Sequence, residues 1–491
     1  MTSKIEQHED LISVCVDSLF GQHNHEINLK PKGMTLIHGP NGVGKTSMLK
    51  LIGFALELNV DALANVVFDS MELRFSGGSM LTIKREAFEE ESQAEFDFGD
   101  PGFSPSLPDF AKELHFEFSK GELKEAWSIS STSQDERKGK RVRLSAIQEA
   151  RPWLTRVGQD EWLDERTHTI YSTQAILESQ VFALSRKDNQ RREQLKELLP
   201  KIPVETIQSQ RLFVTRDRER HGMHRRQEQE TVNAVIFHSE KMCELIRNTF
   251  HDSANLSQDL DRTFAHRVLT STGSIDESEG LLRETYENQL GTWQRIRDAG
   301  ILTEFGGRRD GRMFRFPQGQ PVDQQLSLPE ELDETQKRVL SFYVKDTKQK
   351  LQPYEKLLSK VELFLSIVNS RFDYSGKELV CDPGAGFRVV TRSGRTVPLD
   401  SLSSGEQHEV VLNFQLIFSA PENSLILVDE PEISLHVDWQ REFIDQVLRI
   451  AEVRGHKFII ATHSPQIIDE HWDSTEVLKN SEAFSEENNS E

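Results

Sequence analysis

The sequence lacks any apolar run approaching the roughly 20 residues that a membrane-spanning helix requires. Its N-terminus, MTSKIEQHEDLISV, has no basic start followed by an apolar core and a small-residue cleavage site, so nothing there predicts secretion. Apolar residues make up 36% and charged residues 28% of the chain, which is a balance typical of globular proteins. We therefore expect a cytoplasmic protein with no membrane partner.

Cysteine is also scarce, since the 491 residues include only Cys15, Cys243 and Cys381. The three lie far apart and without the spacing of metal ligands, so we expect buried free thiols, no disulfide and no zinc site.

Positive charge is the third shortage. Lys and Arg number 59 against 80 Asp and Glu, which gives a formal net charge of −21. This balance excludes a protein whose whole surface grips nucleic acid, because phosphate contacts need clustered Lys and Arg. Two local basic stretches, 137–143 (RKGKRVR) and 216–226 (RDRERHGMHRR), keep a local DNA-binding groove as an alternative. A solvated charged helix is the commoner explanation of such stretches.

The patterning divides the chain into four segments, and the length allows about two to four domains. Segments 1–120 and 376–470 are expected to be strand-rich. Segment 121–375 is expected to be long, polar and mostly helical, and segment 471–491 to be an acidic, disordered tail. A weak heptad pattern in the helical segment leaves a coiled coil open. The acidic stretch 86–109 is expected to be an exposed loop. The four segments are 1–120, 121–375 with a return strand expected near 201–213, 376–470 and 471–491.

A glycine-rich loop follows the apolar strand that ends at Ile37 and precedes a segment with helical spacing. Its glycines would let backbone N–H groups surround phosphates, while Lys45 reaches the β- and γ-phosphates and Thr46 offers a hydroxyl to Mg²⁺. The sequence therefore predicts an ATP and magnesium site here. Its candidate nucleotide contacts are Gly39, Asn41, Gly42, Gly44, Lys45, Thr46 and Ser47.

Two adjacent acids, Asp429 and Glu430, end the apolar run 425–428. Two carboxylates at a buried strand tip are costly unless a metal or ligand compensates them. Asp429 is the candidate Mg²⁺ ligand, and Glu430 is the candidate group that orients or deprotonates the attacking water.

Two further polar motifs complete the set. LSSGEQ begins at Leu402 just before a predicted helix, where Ser and Gly would by themselves be read as helix caps. The strand 458–461 ends in THSP with His463, and the carboxyl edge of an open α/β sheet is where ligand-contacting residues collect.

In this order and spacing GPNGVGKT, LSSGEQ, LILVDEPEISLH and ATHSP resemble the ABC ATPase superfamily, over roughly residues 10–85 and 376–470. The resemblance implies an α/β fold, with an ABC-type head assembled from the N- and C-terminal halves around a long, mostly helical insertion. It also implies hydrolysis of ATP to ADP and phosphate, with ATP sandwiched between two chains and assembly beyond a dimer left open. The resemblance further implies that four residues contact the γ-phosphate of the ATP bound to the second subunit, namely Ser403, Ser404, Gly405 and Gln407.

ABC ATPases also carry a glutamine that contacts the metal and the attacking water. Two segments of this chain could supply it, HTIYSTQAIL with Gln174 and VETIQSQRLF with Gln210. Gln210 is preferred as the metal-contacting residue, because its surroundings look more like the corresponding segment of related defence ATPases.

Within the superfamily, SSGEQHEVVL and DEPEISLHVDWQ resemble the OLD-like ATPases of bacterial anti-phage systems, with the Septu and PARIS ATPase subunits as the closest comparison. Only 28 residues follow His463 and they show no acidic strand pattern, so we expect no nuclease domain in the chain. The resemblance implies a sensor and scaffold ATPase that holds a separately encoded effector, expected to be a nuclease, until a phage-derived trigger acts.

Two other classes remain as alternatives. A DNA-repair ATPase of the SMC or RecF type shares the split head, but the acidic charge and the short, irregular insertion count against it. A transporter ATPase shares the nucleotide motifs, yet more than 350 residues separate Thr46 from Leu402, and Ser404 stands where transporters usually have glycine.

Overall fold

The computed structural model describes residues 9–31, 33–85, 113–130, 154–156, 161–164, 169–172, 186–207, 213–217, 229–271, 277–302, 308–309, 312–313, 328–435 and 437–478. The acidic stretch 86–109, the basic stretch 137–143 and most of the stretch 216–226 lie outside these residues, as do Gln174 and Gln210. Among the described helices, none combines the length and apolar character that a membrane crossing needs.

The chain contains helices and strands in both halves, with the long helices concentrated between residues 234 and 372. The helices are α1 (Lys45–Leu56), α2 (Val60–Ala64), α3 (Arg186–Leu198), α4 (Ala234–Thr270), α5 (Glu279–Asp298), α6 (Glu334–Phe372), α7 (Ser404–Phe414), α8 (Val437–Arg454) and α9 (Pro465–Ile468). The strands are β1 (Leu11–Leu19), β2 (His23–Asn28), β3 (Met34–His38), β4 (Ser70–Phe75), β5 (Ser79–Arg85), β6 (Glu113–Lys120), β7 (Leu123–Ser130), β8 (Leu154–Arg156), β9 (Glu161–Asp164), β10 (Thr169–Ser172), β11 (Val204–Ile207), β12 (Phe213–Asp217), β13 (Gln229–Asn233), β14 (Arg308–Arg309), β15 (Arg312–Met313), β16 (Lys377–Asp382), β17 (Gly386–Thr391), β18 (Thr396–Val397), β19 (Leu425–Asp429), β20 (Lys457–Thr462) and β21 (Thr475–Val477).

The contacts divide the chain into two compact units, and the second comprises mainly residues 232–419. The first unit contains a five-stranded parallel sheet in the order β11-β19-β20-β3-β21. Strand β3 comes from the N-terminal half and its neighbours from the C-terminal half, so neither half could complete this sheet alone. The predicted α/β fold, with a head assembled from both halves around a long helical insertion, is confirmed. Strand β11 lies in the segment where the sequence predicts a return strand.

A second, antiparallel sheet of the first unit has the order β2-β1-β4-β5-β6-β7. The alternation of buried and exposed residues along β2 and β4 explains this arrangement, because one face packs into the core and the other meets solvent. Strands β4 and β5 pair as an antiparallel hairpin. Helix α1 packs its apolar residues, including Met48, Leu51 and Ile52, into the same core.

The second unit is built around α4 and α6, which run antiparallel to each other. Arg267 of α4 forms two hydrogen bonds with Asp346 of α6, at 2.7 and 2.6 Å, and Lys350 lies 2.6 Å from Asp261. Helix α5 packs on α6, where the buried Gln289 donates to the backbone carbonyl of Val344. The helices are confirmed, whereas the coiled-coil geometry remains a prediction.

The C-terminal part of α6 packs on the small sheet β16-β17-β18 and on α7. Phe364 stacks on Phe387 with ring centroids 5.3 Å apart and meets Phe414 edge-on at 6.3 Å. All three rings are buried, so this aromatic cluster is part of the core of the second unit.

The structure corrects three expectations. Within the mostly helical segment 121–375, helices were expected from about 144 to 200, but the strands β8, β9 and β10 lie there, and they contain the Thr, Ile, Trp and Tyr that favour strands. The disordered tail was expected to begin at 471, but β21 adds to the parallel sheet beside β3 and Leu478 is buried. Of the three free cysteines only Cys381 is buried, and the other two are half-buried.

Candidate active site

The glycine-rich loop connects β3 to α1, and its shape depends on two glycines. Gly42 and Gly44 have φ angles of 87° and 92°, in the region that other residues rarely adopt. A Cβ at Gly44 would lie only 2.6 Å from Leu19 Cδ2, so the space beside the loop also requires glycine. His25 of β2 donates from Nε2 to the backbone carbonyl of Val43 at 2.7 Å and braces the loop from below.

Lys45 is the first residue of α1 and is only 5% exposed. Its ammonium donates to the carbonyls of Gly39 at 2.8 Å and Pro40 at 3.0 Å, and to His463 Nδ1 at 3.2 Å. Burial lowers the pKa of Lys45, while the nearby carboxylates act in the opposite direction. The structure thus holds a buried cation over the loop and points its donors at acceptors that a phosphate could replace.

Thr46 and Asp429 bring two hard oxygen donors together from opposite ends of the sequence. The Thr46 hydroxyl donates to Asp429 Oδ1 at 3.1 Å. Burial raises the pKa of Asp429, although the Thr46 hydrogen bond opposes this shift. No cluster of three His, Cys, Asp or Glu side chains suited to a metal occurs in the described part of the chain. One carboxylate and one hydroxyl fit Mg²⁺, which in such sites also binds substrate phosphates and water.

Glu430 follows directly, with a backbone φ of 45°. A non-glycine residue in this region costs roughly 1–3 kcal/mol, and such residues cluster at functional sites. His463 Nε2 lies 3.5 Å from Glu430 Oε1. Since Lys45 donates to Nδ1, the neutral His463 ring carries its proton on Nε2, which faces this carboxylate.

Glu432 is a residue of this site that the sequence motifs did not single out. Its Oε1 accepts the backbone N–H of His463 at 2.6 Å, and its Oε2 is buried without a hydrogen-bond partner among the described residues. Gln440 supports the same turn by donating to the backbone carbonyls of Glu432 and Leu435, each at 3.3 Å. The third acid of the DEPE stretch was the available signal, but no local pattern shows that it reaches another strand.

Replacing Glu432 with Ala is expected to lower kcat for ATP about tenfold with little change in KM, a loss comparable to one charge-assisted hydrogen bond. The reason is that the His463 backbone would lose its acceptor, and its ring would shift relative to Lys45 and Glu430. Steady-state ATPase assays check this. Glu432→Gln retains an acceptor oxygen and should keep most of the activity, and Glu452→Ala, at an exposed position of α8, is the matched control. Wild-type kcat in Glu432→Ala would contradict the assignment.

The LSSGEQ motif belongs to the second unit and starts α7. Ser403 caps the helix in a reciprocal capping box with Glu406. Ser403 and Ser404 are exposed and Gly405 is half-buried, whereas Glu406 and Gln407 are buried. Burial alone would raise the pKa of Glu406, but hydrogen bonds from Lys377, Ser375 and the Ser403 backbone lower it overall.

Three further predicted nucleotide contacts lie in or next to the glycine-rich loop. Asn41 is exposed in the loop, and Ser47 is half-buried on α1. Gly39 is buried, and a Cβ there would lie 2.6 Å from the carbonyl oxygen of Leu478. The structure therefore brings Lys45, Thr46, Asp429, Glu430 and His463 into one cluster, while Gln210 and Gln174 lie outside the described residues.

Residues 20–468 match the AAA ATPase domain family. A search of curated proteins gives no match. Among solved structures, a Smc head domain with an extended coiled coil bound to the C-terminal domain of ScpA, from Pyrococcus furiosus, is 11% identical and covers 96% of this chain and 94% of its own, with a TM-score of 0.30. The SMC head domain from Thermotoga maritima is also 11% identical, covers 96% of each chain and has a TM-score of 0.29. The family match spans nearly the whole sequence, and the chain therefore belongs to the AAA ATPase domain family and is a P-loop ATPase that hydrolyses ATP.

Proposed function

We propose that this protein is an ATP-driven switch that dimerises around ATP and controls a separately encoded effector, a nuclease, in a bacterial anti-phage defence system. The observation that carries the switch is the cluster of Lys45, Thr46, Asp429, Glu430 and His463, joined by contacts of 3.1 to 3.5 Å. It supplies a cation for the phosphates, two oxygen donors for Mg²⁺ and a carboxylate for the attacking water within one subunit.

Each residue of the cluster has a chemical part in this proposal. The loop N–H groups and Lys45 bind the phosphates, and Thr46 and Asp429 hold Mg²⁺. When bound, Mg²⁺ neutralises charge on the phosphate oxygens. Glu430 accepts the proton of the attacking water, and His463 fixes the relative positions of Lys45 and Glu430 because its two ring nitrogens face these two side chains.

Self-association is supported by the surface beside Glu430. Ile433 is 60% exposed and Val437 is 52% exposed, and both follow the acidic motif by a few residues. Both side chains are therefore available to contact a second copy of the chain, as the proposed dimer requires. The exposed Ser403 and Ser404 of the other unit are the groups that we assign to the partner's γ-phosphate.

The defence role is supported by the sequences of the motifs SSGEQHEVVL and DEPEISLHVDWQ, which resemble those of OLD-like defence ATPases. The long helices α4 to α6 add a surface for an effector that generic ATPase halves lack. The test is to express the gene with its genomic neighbours, recover the chain, and identify by mass spectrometry what is bound before and after phage infection. We expect a nuclease bound at rest and released or activated on infection. Recovery of DNA and repair proteins alone would overturn the proposal in favour of an SMC- or RecF-like DNA-repair ATPase.

A further inference from the structure

The buried half of the LSSGEQ motif is tied to the start of helix α4. Gln407 is 8% exposed, and its Oε1 accepts a hydrogen bond of 2.7 Å from Asn233 Nδ2. Its Nε2 donates to the backbone carbonyl of Leu402 at 2.8 Å. One side chain therefore links the insertion helix to the backbone that leads into the exposed Ser403 and Ser404.

The same motif is tied to the segment that follows α6. The Glu406 carboxylate accepts bonds from Ser375 Oγ at 2.8 Å and from Lys377 Nζ at 2.9 Å. It also accepts the backbone N–H of Ser403 at 2.9 Å. Neighbouring residues of the motif are thus held by the residue that precedes α4 and by the segment that follows α6.

Helices α4 and α6 are themselves joined through residues 253–267 of α4 and 346–350 of α6, as the Arg267–Asp346 and Lys350–Asp261 pairs and the bond from Ser253 Oγ to the Lys350 carbonyl show. A shift of the helix pair cannot leave Asn233 in place unless the helix bends or these contacts break. At the motif, such a shift would reach Gln407 through the Asn233 hydrogen bond, beside the packing of the His238 ring of α4 on Phe414 of α7, whose ring centroids lie 4.7 Å apart.

We propose that Asn233 is a positioning residue that couples the helical insertion to the LSSGEQ motif, so that a partner binding the helices changes how well the motif engages ATP held by a second copy of the chain. This inference rests on the proposed function, since it assumes ATP-dependent dimerisation. Asn233 does not contact the nucleotide, and its effect passes through Gln407 and Leu402.

Asn233→Asp separates this link from helix stability. Asn233 Oδ1 caps α4 by accepting the N–H of Val235 at 2.9 Å, and a carboxylate keeps that bond. It loses the donor to Gln407, however. If the Gln407 amide turned to meet the carboxylate, its oxygen would face the Leu402 carbonyl, so one bond is lost in either orientation.

The matched control is Asn369→Asp in the same unit. Asn369 accepts from the N–H of Leu379 at 2.7 Å and donates to its carbonyl at 2.9 Å, so the change removes one donor and adds the same charge without touching the motif. Both substitutions are placed in the Glu430→Gln background, and ATP-dependent dimerisation is measured by light scattering over a range of protein concentrations. Affinity for a fluorescent ATP analogue and the melting temperature are measured alongside.

We expect Asn233→Asp to weaken ATP-dependent dimerisation about tenfold, the scale of one lost buried hydrogen bond, with nucleotide affinity and melting temperature matching the control. Combining it with Gln407→Leu should weaken dimerisation no further than the stronger single change, because the two side chains act as one link. Dimerisation equal to the control, or an equal loss in nucleotide affinity, would overturn the inference. If Glu430→Gln alone fails to dimerise, the proposed function fails. The two substitutions are then compared in the chain that retains Glu430, and a kcat of Asn233→Asp equal to that of Asn369→Asp overturns the inference.

Discussion

Replacing Glu430 with Gln is expected to reduce ATP turnover about a thousandfold, within the range for removal of a general base, while ATP binding stays intact. The carboxamide has nearly the same shape as the carboxylate but cannot accept the proton of the attacking water. The Thr46–Asp429 and Lys45–His463 hydrogen bonds do not involve the Glu430 side chain and should persist. The variant should therefore accumulate as an ATP-bound dimer, which phosphate-release assays and size-exclusion chromatography with light scattering would detect.

The matched control for this experiment is Glu452→Gln, which makes the same chemical change at an exposed position of α8. It should hydrolyse ATP at the wild-type rate and release its dimers after turnover. Normal hydrolysis by Glu430→Gln would contradict the role of Glu430, and slow hydrolysis without a dimer would separate that role from the proposed ATP sandwich.

Replacing Lys45 with Ala is expected to weaken ATP binding about a hundredfold, the scale of a lost charge-assisted bond to phosphate, and to abolish turnover. The ammonium meets the Gly39 and Pro40 carbonyls and His463 within 3.2 Å, so its removal also leaves the loop and the His463 ring without their shared donor. Nucleotide binding can be followed with a fluorescent ATP analogue.

Thermal unfolding supplies an independent measurement of the same change. A ligand that binds only the folded state stabilises it by about 2.7 kcal/mol at a concentration of 100 times Kd. ATP should therefore raise the melting temperature of the wild type and of Lys84→Ala, a control at an exposed lysine of β5. For Lys45→Ala, a hundredfold weaker Kd leaves only about 0.4 kcal/mol at the same ATP concentration, so its melting temperature should rise far less. A shift as large as that of the wild type would mean that the lysine is not needed for binding.

Local patterns were sufficient to predict the parallel-sheet part of the site. The apolar strands that end at His38, Asp429 and Thr462 carry their polar residues at their carboxyl ends, and parallel strands bring those ends to one edge. The order of the strands across the sheet was not predictable from local patterns. Strand β20 lies between β19 and β3, although β3 and the phosphate loop precede β19 by more than 370 residues.

Patterns were less informative where side chains serve contacts that are distant in sequence. LSSGEQ indicated a helix start and an exposed motif, but it did not show that Glu406 and Gln407 turn inward to Lys377 and Asn233. Similarly, the spacing of apolar residues from about 144 to 200 predicted helices, although β8, β9 and β10 lie within that stretch and contain residues that favour strands.

The sequence by itself determined the chemistry: the glycines that allow the loop to curl, the buried lysine that follows them, and the two acids that end a buried strand. These are local requirements of backbone conformation and charge, so they can be read from neighbouring residues. Only the tertiary structure decided that Glu432 holds His463, that His463 faces both Lys45 and Glu430, and that Asn233 holds Gln407. Those pairings depend on how strands and helices pack, because hydrogen bonds between distant residues form only where the packed core brings their atoms within about 3 Å.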